Sequence, residues 1–160
     1  MEANFLAEIH TKVVHFPIAL LATYSILEIF GILFKNDFVT KSALLILCLG
    51  VVTSLFAVLT GNQAATSFLF WNDESNALLN SHQTFATILL WFSAIICGLR
   101  IFVVIKKKFL GPTKHIFVLL ALVILFLVFK TGTYGGDLVK KYGIDPAALN
   151  QSLGSATGSM

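Results

Sequence analysis

This chain is short of charge. Only 12% of its residues are charged, where a soluble domain carries about a quarter. The net charge is only +3, and the basic residues sit beside apolar runs. That arrangement offers nothing to nucleic acid. Cysteine is scarce too. Cys48 and Cys97 both fall inside apolar runs and form no CxxC pair, so they read as packing residues rather than a redox or metal motif. The absence of CxxCH excludes covalently attached c-type haem. No nucleophile constellation or acid–base pair appears, which argues against self-sufficient catalysis. No internal repeat or low-complexity domain stands out.

What the chain has instead is apolar length. Of 160 residues, 57% are hydrophobic, and the mean hydropathy is +0.87. A membrane-spanning helix needs about 20 mostly apolar residues. Four runs qualify: Lys12 to Phe34, Ser42 to Thr60, His82 to Ile105 and Thr113 to Lys130. Short connections follow the first and third. The fold class expected is all-α, an integral membrane up-down four-helix bundle in a lipid bilayer. The bundle would occupy residues 1–144, with a polar, flexible tail over 145–160. The connection Gly61 to Ser81 places Phe68, Phe70 and Trp71 where an interfacial aromatic belt would lie. Ser81 or Asn80 is the expected N-cap of the third span.

Lys35, Lys41, Arg100, Lys106, Lys107, Lys108 and Lys114 gather at one set of span ends. The positive-inside rule assigns that set to the cytoplasm and both termini to the outside. The acidic N-terminus lacks a small-residue cleavage site, so the first span does not read as a removable signal peptide.

Three of four histidines, His10, His15 and His82, then share the outer end, and His115 stands alone at the inner end. In an up-down bundle the first and third helices are diagonal, so inward rings from them face each other. Two such imidazoles are what a six-coordinate haem iron takes as axial ligands. Ala19, Ala57, Gly61, Ala86 and Gly132 supply small residues at about that level, and Lys130, Thr131 and Tyr134 are within reach of haem propionates. His10 and His15 are five residues apart, roughly 140° around a helix, so both cannot aim inward equally. His15, nearer the membrane centre and beside Pro17, is the first choice as ligand opposite His82, and His10 the interfacial ring. The iron ligand's second nitrogen would bond Glu8 or a carbonyl of the Gly61 to Ser81 connection. A copper or zinc site from His10, His15 and His82 is the metal-handling alternative. Histidines that only hydrogen-bond at the interface, in a structural subunit, are the other.

One acidic residue, Glu28, lies inside the first span. At 1.5 Å per residue it is roughly 20 Å below His15, and Arg100 is roughly 27 Å below His82. Charges stranded in lipid are costly, so a Glu28–Arg100 pair is expected, with His115 or Lys114 as other partners for Glu28.

The segments "IHTKVVHFPIALL", "HQTFATILLWFSAIICGLR" and "TGTYGGDLVKKYG" together resemble a bacterial family of small four-span membrane proteins known only as a domain of unknown function. The family's His-Pro-x-x-Val-His-Phe-Pro segment is similar to the stretch holding His10, His15, Phe16 and Pro17, with Thr11 where the family often has proline. Its third-span histidine matches His82, and its Gly-Gly-x-Leu-Val turn matches Gly135, Gly136, Leu138 and Val139. The resemblance runs to about Ile144. Some members look fused or adjacent to c-type cytochromes. The resemblance therefore implies respiratory electron transfer in the bacterial inner membrane. The expected protein is similar to small b-type cytochromes, with one haem b near the periplasmic face. A c-type cytochrome, a quinone or the subunits of a respiratory complex would be its partners.

Overall fold

A computed structural model describes residues 9–67, 72–109 and 111–142. Phe68, Phe70, Trp71, Glu8 and the tail from residue 145 lie outside the described residues. Four long helices make up the bundle: α1 (His15–Leu33), α2 (Asp37–Ser67), α3 (Asp73–Ile105) and α4 (Pro112–Tyr142). The first span begins a turn earlier, over Ile9–Leu33. All four are long and apolar enough to cross a membrane. Each helix packs on its neighbours in the order α1, α2, α3, α4 and back to α1, which leaves α1 and α3 on a diagonal.

The surface is apolar and the interior partly polar, the arrangement a lipid solvent favours. Phe34, Phe38, Trp91 and Phe129 are exposed, while Ser25, Glu28, Ser54, Thr60, Ser93, Arg100 and Thr131 are buried. Three of the buried hydroxyls, all from serine, are satisfied within their own helices. Ser25, Ser54 and Ser93 donate to the carbonyls of Leu21, Gly50 and Leu90 at 2.9, 2.8 and 3.0 Å. Small residues let helices approach closely: a Cβ on Gly50 of α2 would stand 2.7 Å from a methyl of Leu21 on α1.

Helices overrun the apolar runs. The third starts at Asp73 rather than near His82, capped by Asn72 in a reciprocal pair of bonds with Ser75. Ser81 and Asn80 are therefore inside a helix, and Asn72 takes the cap role expected of them, because its side chain reaches the Ser75 N–H at 2.7 Å. The fourth continues through Gly135 and Gly136 to Tyr142, whose hydroxyl donates to Glu74 at 3.2 Å. The ends of α3 and α4 thus support each other beyond the apolar core.

The two halves of the chain are built alike. The inward positions of α1 include Pro17, Leu21, Tyr24, Ser25 and Glu28, and those of α3 include Leu89, Ser93, Ile96, Cys97 and Arg100. Each of the second set lies 72 residues after its counterpart. Both helices end in the same turn. Lys35 and Lys107, again 72 apart, adopt left-handed φ of 52° and 53°. The N–H groups of Lys35 and Asn36 bond the carbonyls of Ile32 and Gly31, and those of Lys107 and Lys108 bond Val104 and Val103. These are two Schellman turns. A non-glycine residue in this region costs about 1–2 kcal/mol, and the cationic side chain gains from the negative end of the helix. The sequence reading found no repeat; the structure has one, a helix hairpin used twice.

Candidate functional site

The site is assembled at the end of the bundle where α1 and α3 begin and α2 and α4 finish. His10 turns inward from the first turn of the opening span. Its Nδ1 lies 3.0 Å from Thr60 Oγ1 on α2. When the single Thr60 hydrogen goes to the carbonyl of Phe56 or Ala57, at 2.9 and 3.1 Å, its oxygen accepts from His10 Nδ1–H. His82 repeats the arrangement 72 residues on. Its Nδ1 lies 3.1 Å from the carbonyl of Thr131 on α4. A carbonyl only accepts, so Nδ1 again carries the hydrogen. In both rings the lone pair falls on Nε2.

Glycine makes room for each ring. A Cβ on Gly61 would stand 2.8 Å from His10 Cε1, and one on Gly135 would stand 3.0 Å from His82 Cε1. Each histidine therefore rests on a neighbouring helix between a threonine that holds its Nδ1 and a glycine that its ring edge covers.

His15 is exposed. The expectation that it is the inward ring and His10 the interfacial one is reversed. Pro17 lacks the N–H that would bond the Val13 carbonyl, and the helix is irregular at Val14, where the Ile18 N–H reaches the Val14 carbonyl at a long 3.4 Å. With His10 facing in, the five-residue spacing carries His15 out. The expected second partners, Glu8 or a carbonyl of the Gly61 to Ser81 connection, give way to Thr60 and Thr131. Glu8 itself is outside the described residues. Because His15 is on the outside, His10, His15 and His82 are not brought together. Among the described residues no three His, Cys, Asp or Glu side chains gather as a metal-binding group. His115 is also exposed.

Lys130 and Tyr134 lie on α4 beside Thr131 and Gly135. Lys130 Nζ lies 5.9 Å from the Phe126 ring centre, and Tyr134 stacks on Phe85 at 5.3 Å. Of the small residues expected here, Gly61 packs on a histidine, Ala19 is exposed, and a Cβ on Gly132 would meet nothing within 4 Å. Gly135 takes the role foreseen for Gly132. Thr131 Oγ1 is buried with no hydrogen-bond partner, which leaves a hydroxyl beside His82 able to serve a further polar group.

Residues 7–148 match the family model described as "Predicted membrane protein (DUF2231)". The chain belongs to the DUF2231 family. Searches of curated proteins and of solved structures found no match.

Some 27 Å along the helices from the histidines, this DUF2231 bundle holds a second polar centre. Glu28 and Arg100 come together across the diagonal, Arg100 Nε donating to Glu28 Oε1 at 2.9 Å, with both side chains at most 2% exposed. Each follows its own half's inward histidine by eighteen residues. The unequal depths expected from His15 vanish once His10 is the reference. Arg100 also lies 3.3 Å under the centre of the Phe109 ring, which covers it from the α3–α4 turn. Glu28 Oε2, Arg100 Nη1 and the hydroxyl of Tyr24, one turn from Glu28, are buried without partners.

Proposed function

We propose that this membrane protein carries electrons and binds one b-type haem between His10 and His82. One observation carries the reading. Two imidazoles on diagonal helices are each held through Nδ1 by an oxygen of the adjacent helix, with Nε2 left as the lone-pair nitrogen. Iron-binding histidines are fixed in this way, the second nitrogen donating to a carbonyl or hydroxyl that sets tautomer and aim. The equivalence of the two halves adds support, since it supplies two like imidazole donors that would hold the iron. Gly61 and Gly135 supply the clearance, and the unpaired Thr131 hydroxyl supplies a donor for a further polar group.

When bound, the haem supplies one-electron redox chemistry at a potential tuned by its ligands and surroundings. His10 and His82 would ligate, Thr60 and Thr131 would orient them, and Lys130 and Tyr134 would serve the propionates. The histidine end would face the periplasm of a bacterial inner membrane, because seven of the eleven lysines and arginines lie at the opposite end. A quinone or a c-type cytochrome would be the redox partner.

A structural reading has its own observation. Both imidazoles already bond a neighbouring helix and clamp each hairpin without any cofactor. A visible spectrum of the purified protein decides between them. Sharp α and β bands on reduction are expected for the haem protein, and their absence from protein purified out of haem-replete cells leaves the clamp.

A further inference from the structure

Cys48 on α2 and Cys97 on α3 are 49 residues apart in sequence, yet their sulfurs are 3.4 Å apart. That is closer than ordinary sulfur contact and within hydrogen-bond reach. Both are free thiols, Cys97 buried and Cys48 half-buried. No other covalent or ionic link between α2 and α3 is present among the described residues.

The pair is deep in the bilayer. Cys97 lies fifteen residues from His82, or roughly 22 Å along the helix. Cys48 lies twelve from Thr60, or roughly 18 Å. Water-soluble oxidants and glutathione do not reach that depth. A reagent that enters from lipid does, and Cys48 is the less buried residue of the two.

We propose that Cys48 and Cys97 are a redox-active dithiol, closed to a disulfide by a lipid-soluble quinone. Two S–H bonds break and one S–S bond forms. Two electrons and two protons leave the sulfurs and convert the quinone to the quinol. Closure shortens the sulfur contact to a bond of about 2.05 Å. It ties the first hairpin to the second, because α2 and α3 belong to different halves. The reverse step needs a membrane-permeant dithiol reductant. This site is separate from the histidine pair and does not depend on it.

The test uses the full-length protein reduced, reconstituted in phosphatidylcholine vesicles, and treated with decylubiquinone. After denaturation, remaining thiols are alkylated with a heavy maleimide and the intact mass is read. Wild type is expected to lose both alkylation sites and to be two hydrogens lighter, with one quinol formed per chain and no dimer on a non-reducing gel. Cys48→Ser and Cys97→Ser are each expected to keep one alkylatable thiol. If wild type keeps both thiols under excess quinone, the proposal is overturned. It is equally overturned if the oxidised product is an intermolecular dimer. The wild-type mass decides the matter even where a serine variant fails to fold.

Discussion

Arg100 reaches Glu28 across the diagonal of the bundle, Nε to Oε1 at 2.9 Å, and Phe109 closes over the guanidinium. Neighbouring helices make most contacts in such a bundle, so this bond joins two helices that otherwise barely meet. Breaking a buried pair leaves the other charge unpaired in a low-dielectric interior, a loss of about 3–5 kcal/mol. Glu28→Gln is therefore expected to cut the folded yield and lower the melting temperature sharply, with Arg100→Gln similar. The double variant is expected to be more stable than the two losses added together. Thermal melts of all four proteins in one detergent check it, and additive losses would show that the two side chains act independently.

Ligation divides the histidines cleanly. His10→Ala and His82→Ala are each expected to abolish the six-coordinate low-spin haem spectrum or to lose the haem. His15→Ala and His115→Ala should leave it intact, because both rings are exposed. Loss of the spectrum in His15→Ala with its retention in His10→Ala would reverse the assignment.

Gly61→Ala and Gly135→Ala test the seats of the two rings. The added methyl would stand 2.8 or 3.0 Å from an imidazole carbon, so the ring must shift on its seat. Overpacking of this kind costs about 1–3 kcal/mol. Each variant is expected to melt lower and to bind haem more weakly. Ala on Gly132, where no atom lies within 4 Å of the new carbon, should change neither. Equal behaviour of all three variants would remove the glycine seats from the argument.

Orientation is read by chemical labelling. In a background with both native cysteines replaced by serine, single cysteines at Asp73 and Lys107 are exposed to a membrane-impermeant maleimide in intact cells with a permeabilised outer membrane. Labelling is expected at residue 73 and not at 107. The opposite pattern would put the histidine end in the cytoplasm.

The fold class was legible because lipid imposes a length on apolar runs, and four such runs leave few alternatives to a four-helix bundle. Helix ends were less legible. Polar residues such as Asp73 and Glu74, or Gly135 and Gly136, look like connections until helix packing past the apolar core holds them in α-helix. The choice between His10 and His15 turned on rotation about one helix. The backbone irregularity at Val14 and the burial of Pro17 settle it, and neither is visible in a string of residues. Thr60 and Thr131 gave no sequence signal as ring-holders. Their roles arise where separate helices meet, and in Thr131 it is the backbone carbonyl that acts. The repeat hid for a related reason. Residues 9–36 and 81–108 share six identities, among them His10 with His82 and Lys35 with Lys107. What is repeated is a pattern of inward positions, which tolerates Leu21 opposite Ser93 or Ser25 opposite Cys97.

The doubled hairpin also sets a rule of self-recognition. Two copies of the first hairpin, paired about the same axis, would set Glu28 against Glu28. Two copies of the second would set Arg100 against Arg100. Either homodimer buries like charges face to face, whereas the mixed pair neutralises them. Expressed as separate chains, residues 9–67 and 72–142 should accordingly choose each other over themselves, although each carries the same inward histidine. Opposite charge at one equivalent position, Glu28 and Arg100, makes the two hairpins distinguishable and complementary.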